Sequence, residues 1–146
     1  MKTTLVATAA LILMLNVPGT ARAGHRPFRA SGVATLEGDP LAGTSYDLDG
    51  TATHLGAFTG GGHVQFFHVD GTLAAQGTTT FVAANGDELH ASFLAFQEAG
   101  SAEFVGLFIF EGGTGRFAGA EGLDIVVATP LDDMSFLIQI AGTIDY

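Results

Sequence analysis

Residues 71–98 read GTLAAQGTTTFVAANGDELHASFLAFQE, two apolar-rich runs on either side of the pair Asn85-Gly86. Asn-Gly between such runs is the strongest short-range indication of a β-hairpin, because both residue types adopt a positive φ readily. We therefore predict antiparallel strands over 71–84 and 87–98. Neither this stretch nor the rest of the chain after residue 24 has an apolar repeat of period 3.6, so an all-β fold is expected.

Similar short runs continue on both sides of this hairpin, separated by turn-forming pairs such as Asp39-Pro40 and Asp70-Gly71. The pattern is typical of an antiparallel sheet that closes into a barrel or forms a sandwich, and a closed barrel leaves no exposed edge. Gly60-Gly61-Gly62 is expected to produce a bulge or a sharp bend in the third strand. Eight strands are predicted, over 26–36, 43–55, 56–68, 71–84, 87–98, 102–111, 122–128 and 134–145.

The first 23 residues have the three parts of a secretory signal peptide. Lys2 precedes the apolar run LVATAALILMLNV at 5–17, and Ala21-Arg22-Ala23 has the small-x-small pattern of a cleavage site. An uncleaved membrane anchor is the alternative, but the 13-residue run is too short to cross ~30 Å of hydrocarbon as a helix. We expect cleavage, a single mature domain over 24–146, and a secreted or periplasmic location.

The charge of the mature chain excludes one large class of partner. Residues 24–146 contain three arginines, no lysine and 15 carboxylates, a formal net charge of −12. Nucleic acid is not expected to bind, because phosphate contacts need clustered Lys or Arg. The chain is not expected to be embedded in a membrane either, because it has no Trp and only two Tyr, too few for the aromatic girdles of a membrane barrel.

The alternation of side chains along each strand separates the barrel interior from its surface. In the second predicted strand Tyr46, Leu48 and His54 share the inner face, while Asp47 and Asp49 face solvent. Twelve phenylalanines supply apolar filling, and the interior of an eight-stranded barrel can hold one small ligand. We therefore expect a small hydrophobic molecule to bind inside the barrel. The candidate ligand-binding residues are Tyr46, Leu48, His54, Phe66, His68, Phe108 and Phe110.

The sixth predicted strand is apolar on both faces. Phe108 and Phe110 alternate with Val105, Leu107 and Ile109, so the second set must lie on the outside of the barrel. Monomers rarely leave such a row uncovered, and no helix is predicted that could cover it. A homo-oligomer, with these three residues in the contact, is therefore expected. The alternative is a neighbouring loop that covers the strand.

The polar residues contain no motif that identifies a reaction. Among the five histidines, His63 falls on the opposite face to His68, so this strand provides no chelating pair for zinc. An inward histidine is then either a buried neutral imidazole or, for His54, a group that orients a ligand or transfers a proton. The pairs Asp47/Asp49 and Asp132/Asp133 are interpreted as solvated carboxylates. No metal or cofactor is expected.

Two segments are more distinctive, GGTGRFAGAEG at 112–122 and THLGAFT at 53–59. The first is expected to form a tight connection in which Phe117 plugs one end of the barrel. It resembles a segment that precedes the penultimate strand of dirigent proteins and of allene oxide cyclases. Bacterial secreted proteins of unknown function are similar too, and some of them have both segments.

This resemblance implies a calycin-like eight-stranded barrel over 30–146. It also implies a cavity that cyclises or couples a reactive intermediate without a cofactor, and a trimeric assembly. None of the acidic or arginine catalytic positions of those enzymes matches a residue here.

Three functions therefore remain open. The first is a module that binds a hydrophobic molecule, the second a cofactor-free cyclase or isomerase, and the third a structural or interaction barrel with a filled interior. An internal cavity of several hundred Å³ would favour the first two over the third.

Overall fold

The computed structural model describes residues 24–146, in which eight antiparallel strands close into one barrel. Each strand pairs with the next along the chain, and the last pairs back with the first. The predicted all-β, eight-stranded barrel is confirmed, and the architecture is compatible with a calycin-like fold. The predicted signal peptide lies outside the described residues. The strands are β1 (Arg26–Leu36), β2 (Thr44–Ala52), β3 (Gly56–Val69), β4 (Thr72–Ala83), β5 (Glu88–Gln97), β6 (Phe104–Gly113), β7 (Glu121–Pro130) and β8 (Ser135–Ile144).

Two of the predicted turns form hairpins with different geometries. Asp70 and Gly71 both have a positive φ, 49° and 81°, as a two-residue type I′ turn requires. In the Asn85-Gly86 hairpin, Gly86 has a positive φ of 89° and Asn85 does not. The Gly86 N–H donates to the carbonyl of Ala83 (2.9 Å), which is the pattern of a type I turn followed by a left-handed residue.

Of the bulge or sharp bend predicted at Gly60-Gly61-Gly62, the bulge is wrong, because β3 keeps one continuous register with both of its neighbours. The glycines are needed for close approach instead. A Cβ at Gly62, for example, would overlap the carbonyl oxygen of Thr78 on β4. A register shift is found instead between β5 and β6. It lies between Leu89 and Ala91 of β5, opposite Gly112 of β6, whose φ is 99°.

One end of the barrel is filled with packed aromatic rings, and we call it the closed end. It is the end where the β2–β3 turn, the β4–β5 turn and the β6–β7 connection lie. Phe28 contacts Phe110 edge to face (4.7 Å between ring centroids), and Phe58 contacts Phe81 in the same way (5.0 Å). Phe28 and Phe81 are completely buried. This end of the interior therefore has no space for a ligand.

The two distinctive segments of the sequence close this same end. Residues Gly115–Phe117 form a short 3-10 turn between β6 and β7, and the fully buried Phe117 packs on the ring of Tyr146 (5.0 Å). This confirms that Phe117 plugs the barrel. Leu55, from the β2–β3 turn, is also buried here. No helix within the described range is long and apolar enough to cross a membrane.

A cavity at the open end of the barrel

The opposite end of the barrel, which we call the open end, contains a cavity of about 70 Å³. The loops 37–43, 70–71, 98–103 and 131–134 surround it. The inward-facing rings of Phe66 and Phe136 are only partly buried here, so the cavity communicates with solvent. Its wall consists of Ala34, Leu36, Tyr46, Leu48, Val64, Phe66, Ala75, Thr79, Phe93, Ala95, Phe104, Phe108, Val126, Ala128, Phe136 and Ile138.

Small side chains on adjacent strands create this space. Ala75 on β4 lies opposite Ala95 on β5, which in turn lies opposite Gly106 on β6. The inward positions in this row thus carry a methyl group, at Ala75 and Ala95, or no side chain, at Gly106. Large rings on either side of this row, such as those of Phe104 and Phe108, form part of the cavity wall.

The wall of the cavity has two hydroxyl groups, which are hydrogen-bonded to each other. The side chain of Tyr46 crosses Gly62, where a Cβ would be 3.1 Å from the phenol oxygen. The phenol donates to the carbonyl of Thr78 (2.8 Å), so Thr79 must supply the hydrogen in its contact with the same oxygen. Burial raises the pKa of Tyr46 to about 12, and the Thr79 hydrogen bond offsets part of that effect. Both groups are therefore neutral, and the cavity presents an apolar surface.

Four of the seven candidate ligand-binding residues line this cavity, namely Tyr46, Leu48, Phe66 and Phe108. Phe110 faces inward as expected, but it belongs to the packed closed end, where it contacts the rings of Phe28 and Phe108. Whether any of these residues binds a ligand stays a prediction.

The expected inward position of His54 is wrong, and His68 does not reach the cavity. β2 ends at Ala52, and His54 lies in the turn that follows, with a φ of 70°. Its Nε2 donates to the carbonyl of Pro27 (2.9 Å), and its ring contacts Tyr146 at the closed end. His68 has the parity of an inner residue, but it lies two positions beyond Phe66, near the end of β3, and is exposed to solvent.

Sequence reasoning missed a buried acid, Asp124, on the inner face of β7. Its side chain is 1% exposed, with Oδ1 accepting a hydrogen bond from the N–H of Thr143 (2.8 Å) and Oδ2 lacking a partner among the described residues. Burial raises the pKa of this carboxyl to about 6, and the Thr143 hydrogen bond lowers it only in part. The alternation of side chains along β7 could have indicated this buried acid, because Asp124 alternates with Leu123 and Ile125, which face outward.

Charge is distributed unevenly between the two ends. Arg26, Arg29 and Arg116 all lie near the closed end, at the start of β1 and in the 3-10 turn. In residues 24–146 no group of three or more His, Asp or Glu side chains has the arrangement of a metal site. The loops of the open end carry no arginine or lysine and seven carboxylates, those of Glu37, Asp39, Asp70, Glu98, Glu103, Asp132 and Asp133.

The segments that carry the resemblance to dirigent proteins and allene oxide cyclases, THLGAFT and GGTGRFAGAEG, lie at the closed end and take no part in the cavity wall. They build the plug of the barrel, so they say little about what the open end binds. No protein-family model, no curated protein and no solved structure matches this chain.

Proposed function

We propose that this protein binds the apolar part of a small hydrophobic molecule in the open end of its barrel. The observation that carries the proposal is the solvent-connected cavity, whose only two polar side chains, Tyr46 and Thr79, are bonded to each other. Apolar cavities of this type stay dry and take up hydrocarbon groups. A water molecule in this one would find few free hydrogen-bonding partners.

The size of the cavity narrows the class of ligand. A cavity of ~150 Å³ holds benzene, and this one measures about 70 Å³. It is smaller than the several hundred Å³ that would enclose a whole drug-sized molecule. We therefore infer that the cavity takes the end of an alkyl chain or a branched terminus, while the rest of the ligand lies among the loops of the open end.

Two alternatives are less well supported. The barrel can be a calycin-like member of the allene oxide cyclase and dirigent group that acts as a cofactor-free cyclase or isomerase. The cavity wall, however, has no ionisable group other than the hydrogen-bonded Tyr46, so proton transfer to a ligand would need a residue outside it. The third function, a structural barrel, is favoured by the size of the cavity, because about 70 Å³ is below the several hundred Å³ that would favour binding or catalysis. The row Ala75, Ala95 and Gly106 favours binding instead, because it leaves the interior open at one end.

Export forms part of the proposal. The segment 1–23 is proposed to direct the chain out of the cytoplasm and to be removed, which leaves a secreted or periplasmic domain. The intact mass of protein purified from its source tests this step. A chain that begins at or near Gly24 supports export, and a chain that retains the segment contradicts it.

The binding proposal is tested by filling the cavity. Titration calorimetry with a series of linear alcohols, from butanol to decanol, should show binding that strengthens with chain length as long as the added CH₂ groups enter the cavity, because each buried CH₂ contributes ~0.8 kcal/mol. The variant Ala95→Leu puts three extra carbon atoms into the cavity and should weaken octanol binding by at least ~10-fold. Ala57→Leu, at an exposed outward position of β3, is the matched control and should bind octanol like the wild type.

Two results would overturn the proposal. One is a wild-type protein that binds none of the alcohols up to their solubility limits. The other is a folded Ala95→Leu variant, verified by circular dichroism, with unchanged affinity. Mass spectrometry of the recovered ligand separates binding from catalysis, because an isomerase would return a chemically altered molecule when given its own substrate.

A further inference from the structure

The outer surface of the barrel carries an apolar face on β5, β6 and β7. The outward residues of β6, expected to be Val105, Leu107 and Ile109, do lie on the surface, and the register extends the row in both directions. Leu94 lies opposite Leu107, which lies opposite Ile125. The face, which we call the β5–β7 face, consists of Leu94, Phe96, Val105, Leu107, Ile109, Leu123, Ile125 and Val127.

The strand register makes this face continuous. One row across the three strands contains Phe96, Val105 and Val127, and the next contains Leu94, Leu107 and Ile125. Directly opposite side chains are neighbours on a sheet, with Cβ atoms ~5 Å apart. The described loops lie at the two ends of the barrel, so the middle of this face is uncovered.

None of the eight residues is charged. Carboxylates begin at the margin, where Glu111 lies opposite Glu121 one row nearer the closed end. The outer side of β2, in contrast, has the exposed carboxylates Asp47 and Asp49. With a formal net charge of −12 over residues 24–146, two copies of the chain repel each other over most orientations. An uncharged face minimises that repulsion.

The size of the face fits the apolar centre of a stable interface. Six of the eight residues are 38% to 54% exposed, and at ~200 Å² for a large side chain they leave about 500 Å² of apolar surface in water. This lies near the upper limit of ~600 Å² for the largest patch on a typical monomer. A standard interface buries ~800 Å² on each partner, of which ~65% is apolar in homodimers. The apolar area exposed on the β5–β7 face is close to this apolar part of a standard interface.

We propose that the β5–β7 face is a self-association surface that binds a second copy of this chain. A basic or otherwise charged partner would find no complementary charge on this face, whereas an equally apolar and uncharged face is present on every other copy. The proposal rests on the outer surface alone. It is therefore independent of the ligand proposed for the interior.

Sedimentation velocity of the protein as purified, over a wide range of concentration, tests the proposal. The wild type should sediment as a dimer or a trimer, and the resolved mass identifies which. Leu107→Lys, at the centre of the face, should reduce the mass to that of a single chain. Val33→Lys is the matched control, because Val33 faces outward on β1 and is 42% exposed against 43% for Leu107. It should leave the oligomer intact.

A wild type that is monomeric at every concentration would overturn the proposal, as would a folded Leu107→Lys variant of unchanged mass. If Leu107→Lys does not fold, Leu94→Lys and Leu123→Lys carry the same test from the margins of the face, and an oligomer that persists in both is evidence against it. A monomeric wild type that floats with neutral lipid vesicles would assign the face to lipid instead.

Discussion

Replacing the buried acid Asp124 by asparagine should change the way in which the stability of the protein depends on pH. In the folded protein burial raises the pKa of this carboxyl to about 6, from an ordinary value of 3.8. Below the lower value the group is protonated in both states and contributes its full stability. As the pH rises through the folded pKa, that contribution is lost, because the unfolded chain accommodates the charge and the folded interior does not.

The magnitude follows from the two pKa values. A difference of about two units corresponds to a loss of about 3 kcal/mol once the pH is above ~7. An asparagine side chain cannot ionise, so the difference in unfolding free energy between the Asp124→Asn variant and wild type should move in favour of the variant by about 1.4 kcal/mol between about pH 5 and pH 8. The unpaired amide of the new side chain adds a cost of ~1–3 kcal/mol that does not depend on pH. The quantity that tests the prediction is therefore the slope of this free-energy difference against pH.

Urea denaturation followed by circular dichroism measures this slope, because urea is uncharged and leaves the ionic strength constant. Asp47→Asn, at an exposed outward position of β2, is the control, and its difference from the wild type should be nearly independent of pH. A difference between Asp124→Asn and wild type that is equally flat would refute the reasoning. So would a slope of the opposite sign.

Two further predictions concern the two ends of the barrel. Phe117→Ala should lower the free energy of unfolding in urea by ~3–5 kcal/mol, because the fully buried ring of Phe117 plugs the closed end, while octanol affinity at the other end stays the same. A loss below ~1 kcal/mol would show that the plug contributes little. At pH 8 and low salt, octylammonium should bind several-fold more tightly than octanoate, because the open-end loops carry carboxylates and no arginine or lysine, and the preference should shrink as added salt screens the loops. Equal affinities at low salt would contradict this.

Much of the fold could be predicted because turns and strand parity are local properties. Asp70-Gly71 determines a hairpin through the conformations its two residues tolerate. The alternation of Phe108 and Phe110 with Leu107 and Ile109 determines which side faces inward, and the structure has the same assignment. Neither inference required knowledge of distant strands.

Parity failed where the strand did not continue. The alternation that begins at Tyr46 and Leu48 predicts an inward His54 only if the strand continues past Ala52, and the chain leaves the sheet at that point. His68 keeps its parity and still reaches solvent, because the inner face of a barrel strand is enclosed only as far as its neighbours extend. Predicting the cavity itself would have required the register of β4, β5 and β6, which brings Ala75, Ala95 and Gly106 side by side.

The same register explains why a cavity and an apolar outer face occur together. On β5 and β6 the inward positions Ala95 and Gly106 are small, while the adjacent outward positions Leu94 and Leu107 are large. A barrel selected only for a solid monomeric core would place the large residues inside, since burial of a Leu side chain contributes ~1.5–3 kcal/mol. In this row of β5 and β6 the larger apolar side chains lie outside instead. Under the two proposals a ligand fills the inside and a second copy of the chain covers the outside, so the octanol and sedimentation experiments examine two consequences of a single arrangement of residues.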